Sequence, residues 1–183
     1  MRKLFCGACN KNCICTTRTE KETYPVKGEN ITINAQVSYC SECGAQVWDP
    51  VYDEENLAVA FNEYRRKHCL LLPKEIKAIR DKYQLSQTSF GRILGLGDKT
   101  IARYETGSIQ DVAPNNLIEL ADDPNNLEVL LERNPSVLSD PERAKLIQII
   151  SKLKGDSIGE IRYEIQWKPY IIIGPEFSFV GEE

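Results

Sequence analysis

Two different spacings of apolar residues divide this chain. Up to about residue 50 the apolar positions fall in runs rich in Thr, Val and Ile, such as "ENITINAQVSYC" at 29–40, whose alternation predicts strands. Residues 53–68 change to a polar helical pattern. From Pro73 to about Pro135, short amphipathic helices are separated by turn residues. Ile76, Ile79 and Tyr83 make one stripe, and Phe90, Ile93 and Leu94 a second. Ser86 is a natural N-cap for the middle helix, and "GLG" at 95–97 is a tight turn before a third. In that third helix Ile101 and Tyr104 lie three apart and face inward, which leaves Lys99, Thr100 and Arg103 outward. Such an outer face suits the major groove of DNA.

The pattern changes again after residue 134. Ser139 or Asp140 caps a helix with Pro141 in its first turn, and Gly155 is expected to end it. Ala144, Leu146, Ile147, Ile149, Ile150 and Leu153 give that helix a broad apolar face, which needs a partner. Then "IRYEIQW" sets Ile161, Tyr163, Ile165 and Trp167 against Arg162, Glu164 and Gln166, followed by an apolar "YIII" run. Two strands alone are marginal in water, so the tail is expected to dock on its own chain, across a dimer or on another protein. The expected layout is α+β and multidomain. Residues 1–68 form a small β domain with a trailing helix, 69–135 an all-α helix-turn-helix domain, and 136–183 a C-terminal helix with a β extension.

Composition narrows the class. A chain of 183 residues with 42% hydrophobic content is ordinary for a globular protein and can bury one good core or a few small ones. No window approaches the roughly 20 apolar residues of a spanning helix, so no membrane partner and a cytoplasmic location are expected. The formal net charge of −4 conceals a local imbalance. Residues 73–108 carry 7 Lys+Arg against 4 Asp+Glu, a net of +3, whereas residues 109–183 carry 7 against 14, a net of −7. An acidic total therefore does not exclude nucleic acid, because a phosphate feels the charge within a Debye length of about 8 to 10 Å.

Six of the seven cysteines lie in the first 50 residues. In a reducing compartment they point to metal rather than to disulfides. "CGAC" supplies Cys6 and Cys9, and "CSECG" supplies Cys40 and Cys43. Each pair aims two thiolates at one point, with Gly7 and Gly44 expected to let the backbone fold tightly beneath the sulfurs. Four thiolates in a tetrahedron suit one structural Zn2+, whose binding would supply much of the folding free energy of so small a sheet, on the order of 10 kcal/mol. Cys13 and Cys15 do not match an iron–sulfur run and are read as bystanders. His68 and Cys69 adjoin, but no acid or oxyanion hole accompanies them, so they read as a linker His and a semi-buried Cys. A thiol oxidoreductase would need a thioredoxin-like βαβ setting that the pattern lacks, and no enzymatic activity is expected.

"LSQTSFGRILGLGDKTIARYETGS" resembles the helix-turn-helix of the Xre/Cro repressor superfamily. Two knuckles followed by this module are similar, over roughly residues 4–134, to MqsA-type antitoxins with their YgiT-type zinc finger. The resemblance implies an autoregulating antitoxin of a type II toxin–antitoxin pair. Its zinc domain would contact the cognate toxin, and its helical domain would dimerise and bind a palindromic operator. By the same resemblance Cys6, Cys9, Cys40 and Cys43 are zinc ligands, Lys99 and Arg103 read bases, and Gln87 grips phosphate. Lys99 favours the O6 and N7 acceptors of guanine. Asp98 would read a cytosine amino group or act on the helix dipole. The sticky tail is similar in character to antitoxin extensions captured by a SecB-like chaperone. The alternative is an Xre-type regulator, perhaps phage-borne, with a structural zinc finger and no toxin.

Overall fold

The computed structural model describes residues 2–157. The strands expected from "IRYEIQW" and the "YIII" run that follows lie outside the described residues. An antiparallel meander forms the N-terminal part: β1 (Arg2–Cys6), β2 (Lys11–Val26), β3 (Glu29–Cys40) and the short β4 (Gln46–Val47), in the order β1-β2-β3-β4. The long hairpin is closed by a two-residue turn, Lys27-Gly28, between the paired residues Val26 and Glu29. Both turn residues have positive φ, 48° and 84°, which matches the strand twist and requires a Gly at the second position for ease.

Among the described residues seven helices follow: α1 (Pro50–Lys67), α2 (Pro73–Lys82), α3 (Gln87–Ile93), α4 (Thr100–Glu105), α5 (Val112–Leu120), α6 (Pro124–Arg133) and α7 (Asp140–Ser157). α1 lies across the sheet. Ala60 is fully buried, and Phe61 and Tyr64 pack on Val26, Ile31, Ile33, Ala35 and Val37, the alternate residues of β3 and the end of β2. The remaining polar demand is met locally, since the Asn56 amide both donates to the Gln36 carbonyl and accepts from its N–H, each at 2.9 Å. Asp49 starts α1. It accepts from the Val51 N–H at 3.2 Å, from Arg2 of β1 at 2.8 Å and from Ser38 of β3 at 3.1 Å, so one carboxylate ties helix and two strands together.

The helical core gathers the residues read as two stripes. Ile76, Ile79, Tyr83, Phe90, Ile93 and Leu94 are all buried, with Ile101, Ile118, Leu127 and Leu131. Ser86 caps α3 as expected, accepting from the Ser89 N–H at 3.0 Å. α7 completes this core through Leu146 and Ile150, while Ile147 and Ala144 of the same broad apolar stretch stay exposed. Ser139 is the cap of α7, with its N–H donating to Glu142 Oε2 at 3.2 Å and Arg143 N–H donating to its carbonyl at 2.9 Å. The helix runs to Ser157 and so passes through Gly155, which was expected to end it; one glycine costs a helix interior only about 1 kcal/mol.

An ion pair sets the position of α4. Arg80 of α2 donates from Nε and Nη2 to the two oxygens of Glu105, at 2.7 and 3.0 Å, and from Nη1 to the Leu85 carbonyl at 2.7 Å. Burial works to raise the Glu105 carboxyl, but the Arg80 and Gln87 hydrogen bonds outweigh it and hold the group below its ordinary range. A carboxyl depressed in the folded state contributes stability above its unfolded value of about 4.3, and that contribution is lost as pH falls through the folded value. Glu105→Gln should therefore cost the helical core about 1–3 kcal/mol at pH 7 and progressively less as the pH falls below the ordinary carboxylate range. Urea unfolding of both proteins across that range checks the convergence.

Candidate metal centre and DNA-reading face

The two cysteine pairs meet at one end of the sheet. Cys6 ends β1, Cys40 ends β3, and each is followed by a tight turn that carries the second cysteine of its pair. Cys6 Sγ lies 3.6 Å from Cys43 Sγ and Cys9 Sγ 3.9 Å from Cys40 Sγ, with all four sulfurs within 4.8 Å of one another. A tetrahedral site with the metal–sulfur bonds of about 2.3 Å found for zinc has sulfur–sulfur edges of about 3.8 Å. Disulfides would need about 2.05 Å, and all seven cysteines are free. The donor set thus fits a thiolate-bound metal ion with no open position.

Both knuckles use a left-handed residue directly after their second cysteine. Gly44 does so at φ +72°, with its N–H donating to the Cys40 carbonyl at 2.9 Å. In the first knuckle that role falls to Asn10 at φ +51°, and Gly7, expected to provide the freedom, does not have a positive φ. The sequence signal was present, since Asn is the non-glycine residue most at ease there. Backbone N–H groups of Cys43 and Glu42 draw the Cys40 thiol down to about 6. The contact with Cys43, followed by burial, pushes the Cys9 thiol up. Sulfurs this close cannot all ionise beside one another without a cation to offset the repulsion.

Cys13 and Cys15 are buried on the same side of the sheet, packed with Cys6, Cys40, Val47 and the half-buried Leu4. Cys15 is held by apolar packing and a contact to the Cys13 carbonyl. Cys13 has a second set of neighbours, Cys9 and Glu42. His68 pairs with Glu29 at 2.8 Å, while Cys69 is exposed rather than semi-buried, because its φ of +52° turns the chain out of α1.

On α4 the helical phase is as the apolar spacing requires: Ile101 is fully buried and Tyr104 packs against the core, while Lys99 and Arg103 are exposed and Thr100 is half-buried. Lys99 is the N-terminal boundary of the helix, and no side chain caps it. Gln87 has its amide nitrogen on Glu105 Oε2 at 2.7 Å, beside the Arg80 pair. Asp98 presents both oxygens to Arg92, at 2.9 and 3.1 Å, so neither the dipole nor the cytosine reading is its main contact. Sequence reading missed the Arg80–Glu105–Gln87 unit; the only signal was an Arg and a Glu on separate amphipathic helices.

A family model described as the antitoxin component of a bacterial toxin–antitoxin system, MqsA, matches residues 1–140. The chain belongs to the MqsA antitoxin family. The match ends where α7 begins, and it covers both the cysteine cluster and the helix-turn-helix. No curated protein matches the chain. Family membership makes this protein an antitoxin, a regulator with a cognate toxin. No helix among the described residues is long and apolar enough to cross a membrane.

Replacing one of the four cysteines leaves three sulfurs and an incomplete tetrahedron. Cys40→Ser should lose about one equivalent of bound metal by elemental analysis and abolish the thermal transition of the β part, while the helical transition persists. Full metal content in that variant would mean that other thiols complete the site.

Proposed function

We propose that this MqsA-family antitoxin binds operator DNA as a homodimer and represses its own operon, with a structural Zn2+ in the four-cysteine site and the β domain as the toxin-binding part. The observation that carries the DNA reading is the exposed pair Lys99 and Arg103 on α4, one turn apart, on a helix anchored from beneath by Ile101 and Glu105. Neither cation has an ion-pair partner among the described residues. Arg103 offers a bidentate fork to guanine, Lys99 a point charge to the same acceptors, and Thr100 a hydroxyl or methyl contact. Gln87 would reach phosphate by exchanging its bond to Glu105.

Zinc is favoured for the metal because four thiolates at these spacings select a thiophilic ion of tetrahedral habit. Exposed apolar groups support the protein contacts. Phe5 of the edge strand β1 and Ile14 of β2 are exposed on one face, on diagonal positions of the ladder, with Trp48 exposed beyond β4. Val112 and Leu120 are exposed on α5 with Asn116 between them at four-residue steps, a stripe suited to self-association. The tail from residue 158 is assigned to protein interaction, with a SecB-like chaperone as one candidate partner, because residues 109–183 carry a net charge of −7 that phosphate would repel.

Arg103→Ala should weaken operator binding by about 1–3 kcal/mol and relax specificity at one base pair per half-site. Footprinting should show two half-sites about 34 Å apart, or a multiple of it, in a palindrome. Leu120→Glu should leave a monomer by sedimentation that binds one half-site. A non-palindromic single footprint, or an Arg103→Ala protein with unchanged affinity, overturns the DNA reading. Removing residues 158–183 should leave the salt slope of operator binding nearly unchanged and alter solubility or partner binding instead.

A further inference from the structure

Two thiols outside the four-cysteine site, Cys13 and Cys15, are buried beside it, and Cys13 has donor neighbours of its own. Cys13 of β2 stands opposite Leu4 of β1, and only 2% of its surface is exposed. Its sulfur, the sulfur of Cys9 and a carboxylate oxygen of Glu42 all lie within 4.8 Å of one another. These three donors come from separate pieces of chain: the first knuckle, the strand that leaves it, and the second knuckle between Cys40 and Cys43. Their burial grades outward, with Cys13 buried, Cys9 half-buried and Glu42 exposed, so one side of the triangle faces water. Cys13 makes a long contact to the Lys11 carbonyl, at 3.7 Å, and its sulfur also has the Cys40 thiol and the Glu42 carboxylate as neighbours. Glu42 is already held next to a positive charge, the Lys11 ammonium at 2.7 Å, and both partners of that pair are more than half exposed. A surface pair of this kind is worth little and is readily exchanged.

We propose that Cys13 and Glu42, sharing the Cys9 thiolate with the four-cysteine site, form a second and weaker site for a thiophilic divalent cation, with its remaining position open to solvent. It rests on the four-cysteine reading, since Cys9 is the common donor. A thiolate sulfur has lone pairs enough to bridge two cations, at the cost of weaker donation to each, so the second ion binds less tightly than the first. Two sulfurs, one oxygen and a water give the mixed donor set of an open, exchangeable site, where the all-sulfur tetrahedron is closed. On binding, the cation takes the place of the Lys11 ammonium at Glu42, and the Cys13 proton leaves to solvent. Placed against the closed site, such a position gives an incoming metal ion a first landing point beside the permanent one.

Cadmium reports the donor set directly, because each thiolate bond adds to its ultraviolet charge-transfer band and each site gives its own 113Cd resonance. The full chain, titrated with Cd2+, should take up one tight equivalent and then a second one, with two resonances, the second in the range of mixed sulfur and oxygen ligation. Cys13→Ser should stop at one equivalent with the first resonance in place. Glu42→Gln, a surface change that spares folding, should weaken the second equivalent at least tenfold. Lys11→Ala should tighten it a few-fold by freeing the carboxylate, and Cys69→Ser, removing the exposed thiol elsewhere, should change nothing. A chain that saturates at one equivalent, or a second equivalent that survives both Cys13→Ser and Glu42→Gln, overturns the second site while leaving the first intact. A chain with no tight equivalent at all overturns the four-cysteine reading instead.

Discussion

Four sulfurs drawn to within 4.8 Å of one another are the constraint on which the N-terminal part depends. The sheet is a meander whose outer strands, β1 and β4, contribute five and two residues, too little to bury a core of their own. Closure at the cysteines holds both edges. Cys6 fixes the end of β1, Cys40 the end of β3, and the turn after Cys43 returns the chain so that the Cys40 N–H donates to the Ala45 carbonyl at 2.9 Å as β4 begins. The exposed Phe5, Ile14 and Trp48 are then displayed on a frame closed by the four-cysteine cluster and by the small buried cluster of Cys13, Cys15 and Val47, with the half-buried Leu4, beside it. Opening that cluster would therefore remove the proposed toxin-binding surface together with the site.

The cysteine-bearing part is joined to the helices by polar bonds that leave the linker little freedom. Arg65, at the end of α1, has only 1% of its surface exposed and donates from Nη2 to the Gly107 carbonyl at 2.7 Å, just after α4. Burial lowers the Arg65 guanidinium from its ordinary range, yet no carboxylate is paired with it among the described residues, and its partners are neutral oxygens of Gly107 and Asn62. Past it, the Leu71 N–H donates to Asn115 Oδ1 at 2.8 Å while the Leu71 carbonyl accepts from Gln110 at 2.6 Å. Both backbone groups of one linker residue are thus satisfied by buried side chains of the helical part. Any shift of α1 must strain or break its bond to the turn after α4.

Much of this was legible in the chain because its signals are local. The Cys-x-x-Cys pairs, the Ser86 cap, the stripes of α2 and α3 and the inward Ile101 depend on spacing alone, and the structure has them where the spacing puts them. Asn10 replaced Gly7 as the left-handed residue because the knuckle needs positive φ after the second cysteine, not after the first. Contacts between distant elements were illegible. Nothing in periodicity says that Asp49 joins Arg2 and Ser38, that Glu105 takes Arg80 and Gln87, or that Cys13 meets Glu42, since each depends on register and crossing geometry.

The acidic total does not conflict with the DNA reading proposed for α4, because the counter-charges around that helix are spent selectively. Of the basic residues between 73 and 108, Arg80 is neutralised by Glu105 and Asp81, Arg92 by Asp98, and Lys82 by Asp122. Those pairs fix α2 against α4, the turn before α4, and α2 against the end of α5. Lys99 and Arg103 project from the helix that these pairs position, and none of those carboxylates is bonded to them. Coulomb attraction to phosphate depends on charges within about a Debye length, so two unpaired cations on an anchored face outweigh an acidic segment farther away. The paired arginines act as scaffold, and Lys99 and Arg103 are the exposed groups to which the proposed reading role falls. Adding a carboxylate at a surface position within that distance of Arg103 should therefore weaken DNA binding more than the same change in the acidic C-terminal section.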